Sequence, residues 1–131
     1  MTNIKPENQK PSPVSYKDLI VWQKSMEFAV SVIDYAENLS HTKRHFRLIE
    51  QLEAAVTSIP MNIAEGKGRQ TTKDYCHFLT YARGSLYETM TLLEIFKLKG
   101  WITSEEFSSL ENQSNQIGKM INTIHRKLYK P

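Results

Sequence analysis

Four stretches of the chain carry apolar residues at steps of three and four, and this spacing constrains the fold more than any other feature. Apolar side chains three and four residues apart lie on one face of an α-helix. The four stripes are Leu19, Trp22, Met26, Ala29, Ile33 and Ala36; Leu48, Leu52, Ala55, Val56, Ile59 and Ile63; Tyr75, Phe78, Leu79, Ala82, Leu86, Leu93 and Phe96; and Phe107, Leu110, Ser114, Ile117, Ile121, Ile124 and Leu128. With no strand pattern between them, they predict an all-α fold, an antiparallel up-down-up-down four-helix bundle.

Polar residues at the ends of the stripes predict where the helices begin. Asp18 is the predicted N-cap of the first helix, because its carboxylate can accept from first-turn amides. Thr71 and Asp74 have the spacing of a capping box, and so do Thr103 and Glu106. Short polar connections should therefore separate four helices.

The length of 131 residues predicts one folded domain, residues 15–131. Residues 1–14 contain three prolines and no apolar period, which predicts a flexible N-terminal tail. No apolar run approaches the roughly 20 residues of a membrane span, and the N-terminus lacks the apolar core of a signal peptide. A single cysteine, Cys76, forms no intrachain disulfide, so we expect a cytoplasmic protein without membrane contact.

The second stripe contains a residue that disfavours helix. Pro60 removes one backbone hydrogen bond and crowds the preceding turn, at a cost of about 3 kcal/mol. Because the stripe continues to Ile63, we predict a kink at Pro60 rather than a helix end. Asn62 is expected to bond to the carbonyl that Pro60 leaves unpaired, and Glu65 to pair with Arg69 or Arg83.

Glycines near this kink predict how the helices end and pack. Gly66 and Gly68 are expected to close the second helix through the left-handed conformation. Gly84, in the third stripe, is small enough for another helix to approach closely. Together with the kink, this pattern assigns structural or assembly roles to Trp22, Pro60, Asn62, Glu65, Gly66, Gly68 and Gly84.

Catalytic and metal chemistry find little support in the sequence. No Glu-x-x-His pair of the kind that binds iron in helical bundles occurs. His41 and His45 lie among cationic residues that would repel a metal ion. Cys76 and His77 are adjacent, so they point about 100° apart on a helix and form no nucleophile–base pair. We therefore predict a non-enzymatic protein with no cofactor and no metal.

Basic residues are clustered although the net charge is only +3. Clusters of this kind can neutralise nucleic-acid phosphates, and they can equally be solvated charges at helix ends. Phe46 and Tyr129 are aromatic neighbours that would stack on bases or pack at a bundle end. The candidate nucleic-acid-binding residues are Lys43, Arg44, Arg47, Lys67, Arg69, Arg126, Lys127 and Lys130.

Four motifs in this order resemble the 23S rRNA intervening-sequence family over roughly residues 16–128. They are Asp18-Leu19-x-Val21-Trp22-Gln23-Lys24, Gln51-Leu52-x-x-Ala55-x-x-Ser58-Ile59-Pro60-x-Asn62-Ile63-Ala64-Glu65-Gly66-x-Gly68-Arg69, Phe78-Leu79-x-x-Ala82-x-Gly84-Ser85-x-x-Glu88 and Leu98-Lys99-Gly100-Trp101-Ile102. The resemblance implies a small four-helix bundle that assembles into a ring-shaped homopentamer. It also implies a relation to the accessory variability determinants of diversity-generating retroelements, which bind a reverse transcriptase and nucleic acid.

Two functions stay open at this point. One is a non-enzymatic oligomer that binds RNA or DNA through its basic residues. The other is a protein-binding adaptor, such as an accessory factor that partners a reverse transcriptase. For the adaptor, apolar side chains left over after the core is filled would mark the interface; the candidates are Trp22, Tyr35, Tyr81, Tyr87 and Trp101.

Overall fold

The fold was analysed in a computed structural model, which describes residues 15–40 and 45–129. A short 3-10 turn, Tyr16–Asp18, leads into α1, Ile20–Ser40. It is followed by α2, Phe46–Lys67; α3, Thr72–Leu98; and α4, Ser104–Leu128. The described residues contain no strand, so the predicted all-α fold of four helices is confirmed. The predicted tail, residues 1–14, lies outside the described residues.

Viewed along the bundle axis, the four helices stand at the corners of a square. α1 contacts α2 and α4, and α3 contacts the same two helices, so α1 and α3 stand at opposite corners. Near the middle of α2, the Ser58 hydroxyl bonds to that of Ser85 in α3. Later in α2, Gly66 lies against Phe78, which comes earlier in α3. These two helices therefore run in opposite directions.

The same is true of α3 and α4. Arg83 Nη1 donates to Asn122 Oδ1 at 2.9 Å. Further along α3, the Lys97 ammonium lies 4.4 Å from the centre of the Phe107 ring. Residues late in one helix thus meet residues early in the next, as short connections require.

The buried faces of α2, α3 and α4 follow their apolar stripes. The stripe predicted for α1 is partly wrong, because Met26 is exposed and Ile33 is half-buried, whereas Val21, Phe28 and Val32 are buried. This helix carries two overlapping apolar faces, and the spacing alone does not show which of them meets the core.

The core fills the space between all four helices. Phe28, Phe96 and Leu52 are among its largest fully buried side chains. Thr89 interrupts the third stripe in the sequence, yet it is fully buried. Its hydroxyl donates to the Ser85 carbonyl at 2.8 Å, and this bond offsets the cost of burying a polar group.

The predicted N-cap of α1 is wrong. Asp18 ends the 3-10 turn, which Ser15 caps by accepting from Lys17 N at 3.1 Å. α1 then begins at Ile20, so Leu19 rather than Asp18 immediately precedes it. Because Asp18 belongs to the 3-10 turn, α1 begins one residue later than the sequence predicted.

Both predicted threonine caps are confirmed, but of the two predicted capping boxes only the one at Thr103 is complete. Thr71 Oγ1 accepts from Asp74 N at 3.1 Å, at the start of α3. At the start of α4, Thr103 Oγ1 accepts from Glu106 N at 3.0 Å while Glu106 Oε1 accepts from Thr103 N at 2.7 Å. The second pair is a complete capping box.

α3 ends in a Schellman motif at Gly100, whose φ of 77° is left-handed. Trp101 N donates to Phe96 O at 2.9 Å, and the two rings meet at 5.0 Å between centroids. The Trp101 ring also lies 4.3 Å from that of His45, which precedes α2. The turn between α3 and α4 is thereby joined to the start of α2.

α2 is a continuous helix through the buried Pro60. Asn62 Nδ2 donates to the Ser58 carbonyl at 2.8 Å. Because the missing N–H of Pro60 would have pointed to Val56, the expectation that Asn62 replaces the lost bond is wrong. The Asn62 side chain instead bonds to the carbonyl of Ser58, two residues further along the helix than Val56. The kink at Pro60 stays a prediction.

The predicted left-handed exit from α2 is also wrong. Gly68 has φ −78° and ψ −8°, which is right-handed, and its N–H donates to Ala64 O at 3.1 Å. Gly66 lies inside the helix and is buried because α3 approaches it closely. At Gly84, by contrast, no atom of the described chain lies within 4 Å of where a Cβ would stand. The predicted close approach at Gly84 is therefore absent within the described chain.

Candidate nucleic-acid interface

All four helices place one terminus at the same end of the bundle. The start of α1 and the later part of α4 border one apolar groove, from Asp18–Val21 to Lys119–Ile124. The last turn of α2 packs on Tyr75 in the first turn of α3. Residues 72–80 of α3 share a cleft with residues 125–129 at the end of α4. Segments far apart in the sequence therefore meet at one surface.

Cations outnumber acids at this surface, which we call the basic end. Within about two helical turns of it, the acids of the described chain are Asp18, Glu65 and Asp74. The cations are Lys17, Lys24, Lys67, Arg69, Lys73, Arg126 and Lys127. Among the described residues, this end therefore carries an excess of positive charge.

The opposite end has the reverse balance, and we call it the acidic end. Its cations in the described chain are Arg47, Lys97 and Lys99. Its acids are Asp34, Glu37, Glu50, Glu94, Glu105 and Glu106. Since positive potential attracts polyanions, the basic end is the better candidate for a phosphate-binding surface.

The structure divides the predicted site residues between the two ends. It brings together Lys67, Arg69, Arg126 and Lys127, and it places Arg47 at the acidic end. Phe46 lies beside Arg47, whereas Tyr129 follows α4 at the basic end. Lys43, Arg44 and Lys130 lie outside the described residues.

Three cations of the basic end were not predicted from the sequence. Lys17 and Lys73 are exposed, Lys24 is half-buried, and none of them belongs to a basic run. Only the packing of the helices brings them beside the predicted clusters. The predicted topology could have indicated them. In an antiparallel bundle the start of α1, the α2–α3 connection and the end of α4 lie at the same end of the fold.

Arg69 of the basic end makes two side-chain contacts. Its Nη2 lies 3.3 Å from Glu65 Oε2, so the predicted pairing of Glu65 with Arg69 is confirmed. The guanidinium also stacks 4.6 Å above the centre of the Phe78 ring. Arg83 is occupied elsewhere, by Asn122. The Arg69 side chain is still 43% exposed, so it can reach a ligand.

A cleft of about 490 Å³ separates the start of α3 from the end of α4. Lys73, His77 and His125 line it, and His125 stacks on Tyr129 with centroids 5.5 Å apart. Cys76 also borders the cleft but is only 4% exposed. Burial raises the pKa of the Cys76 thiol, so at neutral pH it remains protonated and is a poor nucleophile.

Tyr75, next to this cysteine, carries no reactive phenolate at neutral pH. Burial, followed by the neighbouring Cys76, raises the pKa of Tyr75. Within residues 15–40 and 45–129, no group of three His, Cys, Asp or Glu side chains is placed to hold a metal ion. In the same part of the chain, no helix is both long enough and apolar enough to cross a bilayer.

A second groove, of about 370 Å³, runs between α1 and α2 and is apolar. Trp22 borders it, half-buried, with its ring 5.2 Å from that of Tyr16. Pro60 and the exposed Met61 form the α2 side. Trp22 and Pro60 therefore border the same groove.

Comparison with known proteins identifies the relatives of this bundle. The 23S rRNA-intervening sequence protein family matches residues 17–123, which include α1, α2, α3 and most of α4. The chain belongs to this family.

A family member of known structure supports the assignment. A protein of unknown function from the S23 ribosomal protein family of Bacteroides thetaiotaomicron, whose crystal structure is known, shares 31% sequence identity with this chain. It superposes with a TM-score of 0.77 over 81% of this chain and 98% of its own. A comparison with curated proteins found no match. The family match ends at residue 123, so Arg126 and Lys127 of the basic end lie beyond it.

Proposed function

We propose that this protein is a non-enzymatic, homo-oligomeric four-helix bundle that binds nucleic acid through its basic end. The observation that carries the proposal is the convergence of four helix termini, which concentrates cations from distant parts of the sequence. Arg69, Arg126 and Lys127 are exposed there, so they can contact phosphates directly. A single cysteine, which cannot form an intrachain disulfide, is consistent with a place in the reducing cytoplasm.

A polyanion fits this surface better than a small anion does. The cations are spread over the ends of all four helices instead of converging on one pocket. Each phosphate of an extended strand can therefore meet a different side chain, and the contacts add without requiring a preformed cavity. The family name, which refers to an insertion in 23S rRNA, is consistent with a nucleic-acid context.

Salt titration tests the nucleic-acid part of the proposal. Affinity for a fluorescein-labelled 20-nucleotide single-stranded RNA, measured by anisotropy, should fall with a log–log slope of about −3 if four cations neutralise phosphates. Each contact releases condensed counterions, and this release weakens as salt rises. A flat salt dependence, or no binding at 50 mM salt, would refute nucleic-acid binding.

Exposed apolar side chains support self-assembly. Met26, Val30 and Met61 are exposed on the α1–α2 side, and Tyr87, Ile95 and Leu98 on the α3–α4 side. These two sides lie opposite each other in the square of helices. Contact between two different faces builds a closed ring when the rotation closes, and the family resemblance favours a pentamer.

Light scattering tests this assembly. The full chain should have a molar mass near five times its 15.2 kDa, independent of added RNA. Met61→Lys should shift the mass toward the monomer, because it introduces a charge into the apolar contact. Gln51→Lys, on an exposed position of the same helix, is the matched control and should leave the mass unchanged. A monomeric wild-type chain would refute homo-oligomerisation.

The same apolar faces keep the adaptor as a second candidate. Of its five aromatic candidates, Tyr81 and Tyr87 are exposed, whereas Trp22, Tyr35 and Trp101 pack partly against the core. An adaptor for a partner such as a reverse transcriptase would leave its apolar face free in the isolated chain. A monomer that binds no nucleic acid would favour this candidate over the first.

A further inference from the structure

An exposed aromatic ring and a cation of the basic end contact the same side chain, Phe78. Tyr81, on α3, is 55% exposed. The ring meets that of Phe78 at 5.5 Å between centroids, with the planes 87° apart. In this edge-to-face contact Phe78 supports Tyr81 without covering all of it.

Phe78 also joins this ring to a charge. The Arg69 guanidinium stacks over the Phe78 ring at 4.6 Å, while Glu65 holds the same guanidinium from α2. Arg69, in the connection between α2 and α3, and Phe78 and Tyr81, on α3, thus form a continuous surface, which we call the aromatic surface. A cation and an exposed ring that contact the same Phe78 side chain are the two parts of a single-strand binding site.

From this arrangement we infer that the basic end binds single-stranded nucleic acid, with an unpaired base stacked on Tyr81 and a neighbouring phosphate at Arg69. The inference rests on the proposed function and specifies its ligand. Bases within a duplex already stack on one another, so an exposed ring gains nothing from them. An unpaired base offers a free face, whatever its identity, and stacking is tolerant of sequence.

Tyr87 provides a natural comparison. It is 61% exposed on the same helix and is also a tyrosine. Its groove, however, is bordered by Glu94 and Glu111 instead of by an arginine. Phosphates would be repelled there, so Tyr87 should not take part in binding.

The experiment compares a 12-nucleotide single-stranded RNA with the 12-base-pair duplex of the same sequence, both fluorescein-labelled, by anisotropy. In Tyr81→Ala the single-strand affinity should fall by about 5- to 150-fold, because one base loses its stacking partner. Duplex affinity should change by less than about twofold, since phosphate contacts remain. Tyr81→Phe should keep wild-type affinity for both ligands.

Tyr81→Leu keeps an apolar side chain without a ring and should lose affinity as Tyr81→Ala does, which separates stacking from general packing. Wild-type binding to both ligands with no effect of Tyr81→Ala would overturn the inference and leave the proposed function standing. A smaller oligomer in Tyr81→Ala, with both affinities reduced alike, would identify Tyr81 as a subunit contact and also overturn it. No wild-type binding to either RNA would instead refute the proposed function.

Discussion

Replacing Gly66 by alanine should destabilise the fold, although alanine is the better helix residue. A Cβ at this position would stand 2.8 Å from Phe78 Cβ and 3.3 Å from the Tyr75 carbonyl oxygen. Neither atom can move without a shift of the α3 backbone. Overpacking of this kind costs about 1–3 kcal/mol, whereas removing a helical glycine gains at most about 1 kcal/mol. Urea unfolding of Gly66→Ala should therefore show a net loss of about 1 kcal/mol or more, and Gly66→Val a larger loss.

Gly84→Ala is the matched control. Gly84 lies inside α3, and an added Cβ would meet no atom of the described chain within 4 Å. The helix propensity of alanine then acts alone, and the free energy of unfolding should rise by about 0.5–1 kcal/mol. Equal stabilisation by the two substitutions would contradict the close approach of α2 and α3 at Gly66.

Neutralising the basic end should remove most nucleic-acid binding. The triple variant Arg69→Gln, Arg126→Gln and Lys127→Gln deletes three exposed cations, one from the α2–α3 connection and two from the end of α4. At 50 mM salt we expect a loss of RNA affinity of about a hundredfold or more, and a salt slope flatter by about 2 to 3. Anisotropy titrations at several salt concentrations measure both quantities.

The acidic end supplies a control with the same change in charge. Arg47→Gln, Lys97→Gln and Lys99→Gln removes its three described cations. Lys97 resembles Arg69 closely, because it pairs with Glu94 at 2.6 Å and lies over the Phe107 ring. This triple variant should bind RNA within about threefold of the wild type at the same salt. An equal loss in both variants would mean that net charge, rather than the basic end, governs binding.

Apolar spacing was sufficient to predict the class of fold. The stripes of α2, α3 and α4 are the buried faces of these helices, because burying an amphipathic helix requires that face to point inward. In α1 the buried face is instead the neighbouring one, with Phe28 and Val32, and the exposed Met26 lies outside it. Caps at Thr71 and Thr103 were also predictable, since each depends on residues three positions apart.

Features that depend on neighbouring helices were not predictable. Gly66 seemed to be a helix exit because the sequence gives no sign that α3 passes within van der Waals contact of it. Asn62 was matched to the wrong carbonyl, because proline position alone does not show which acceptor its side chain reaches. Lys17 and Lys73 lie at the basic end only because the helices pack together, and the residues next to them in the sequence do not show this.

Cross-linking tests most directly whether the basic end is the nucleic-acid surface. The full chain is irradiated with a single-stranded RNA that contains 4-thiouridine, and adducts are located by mass spectrometry. We predict adducts on residues 67–81 and 122–129, with few or none on residues 94–107. Adducts concentrated on residues 94–107 or 45–50, at the acidic end, would contradict the account.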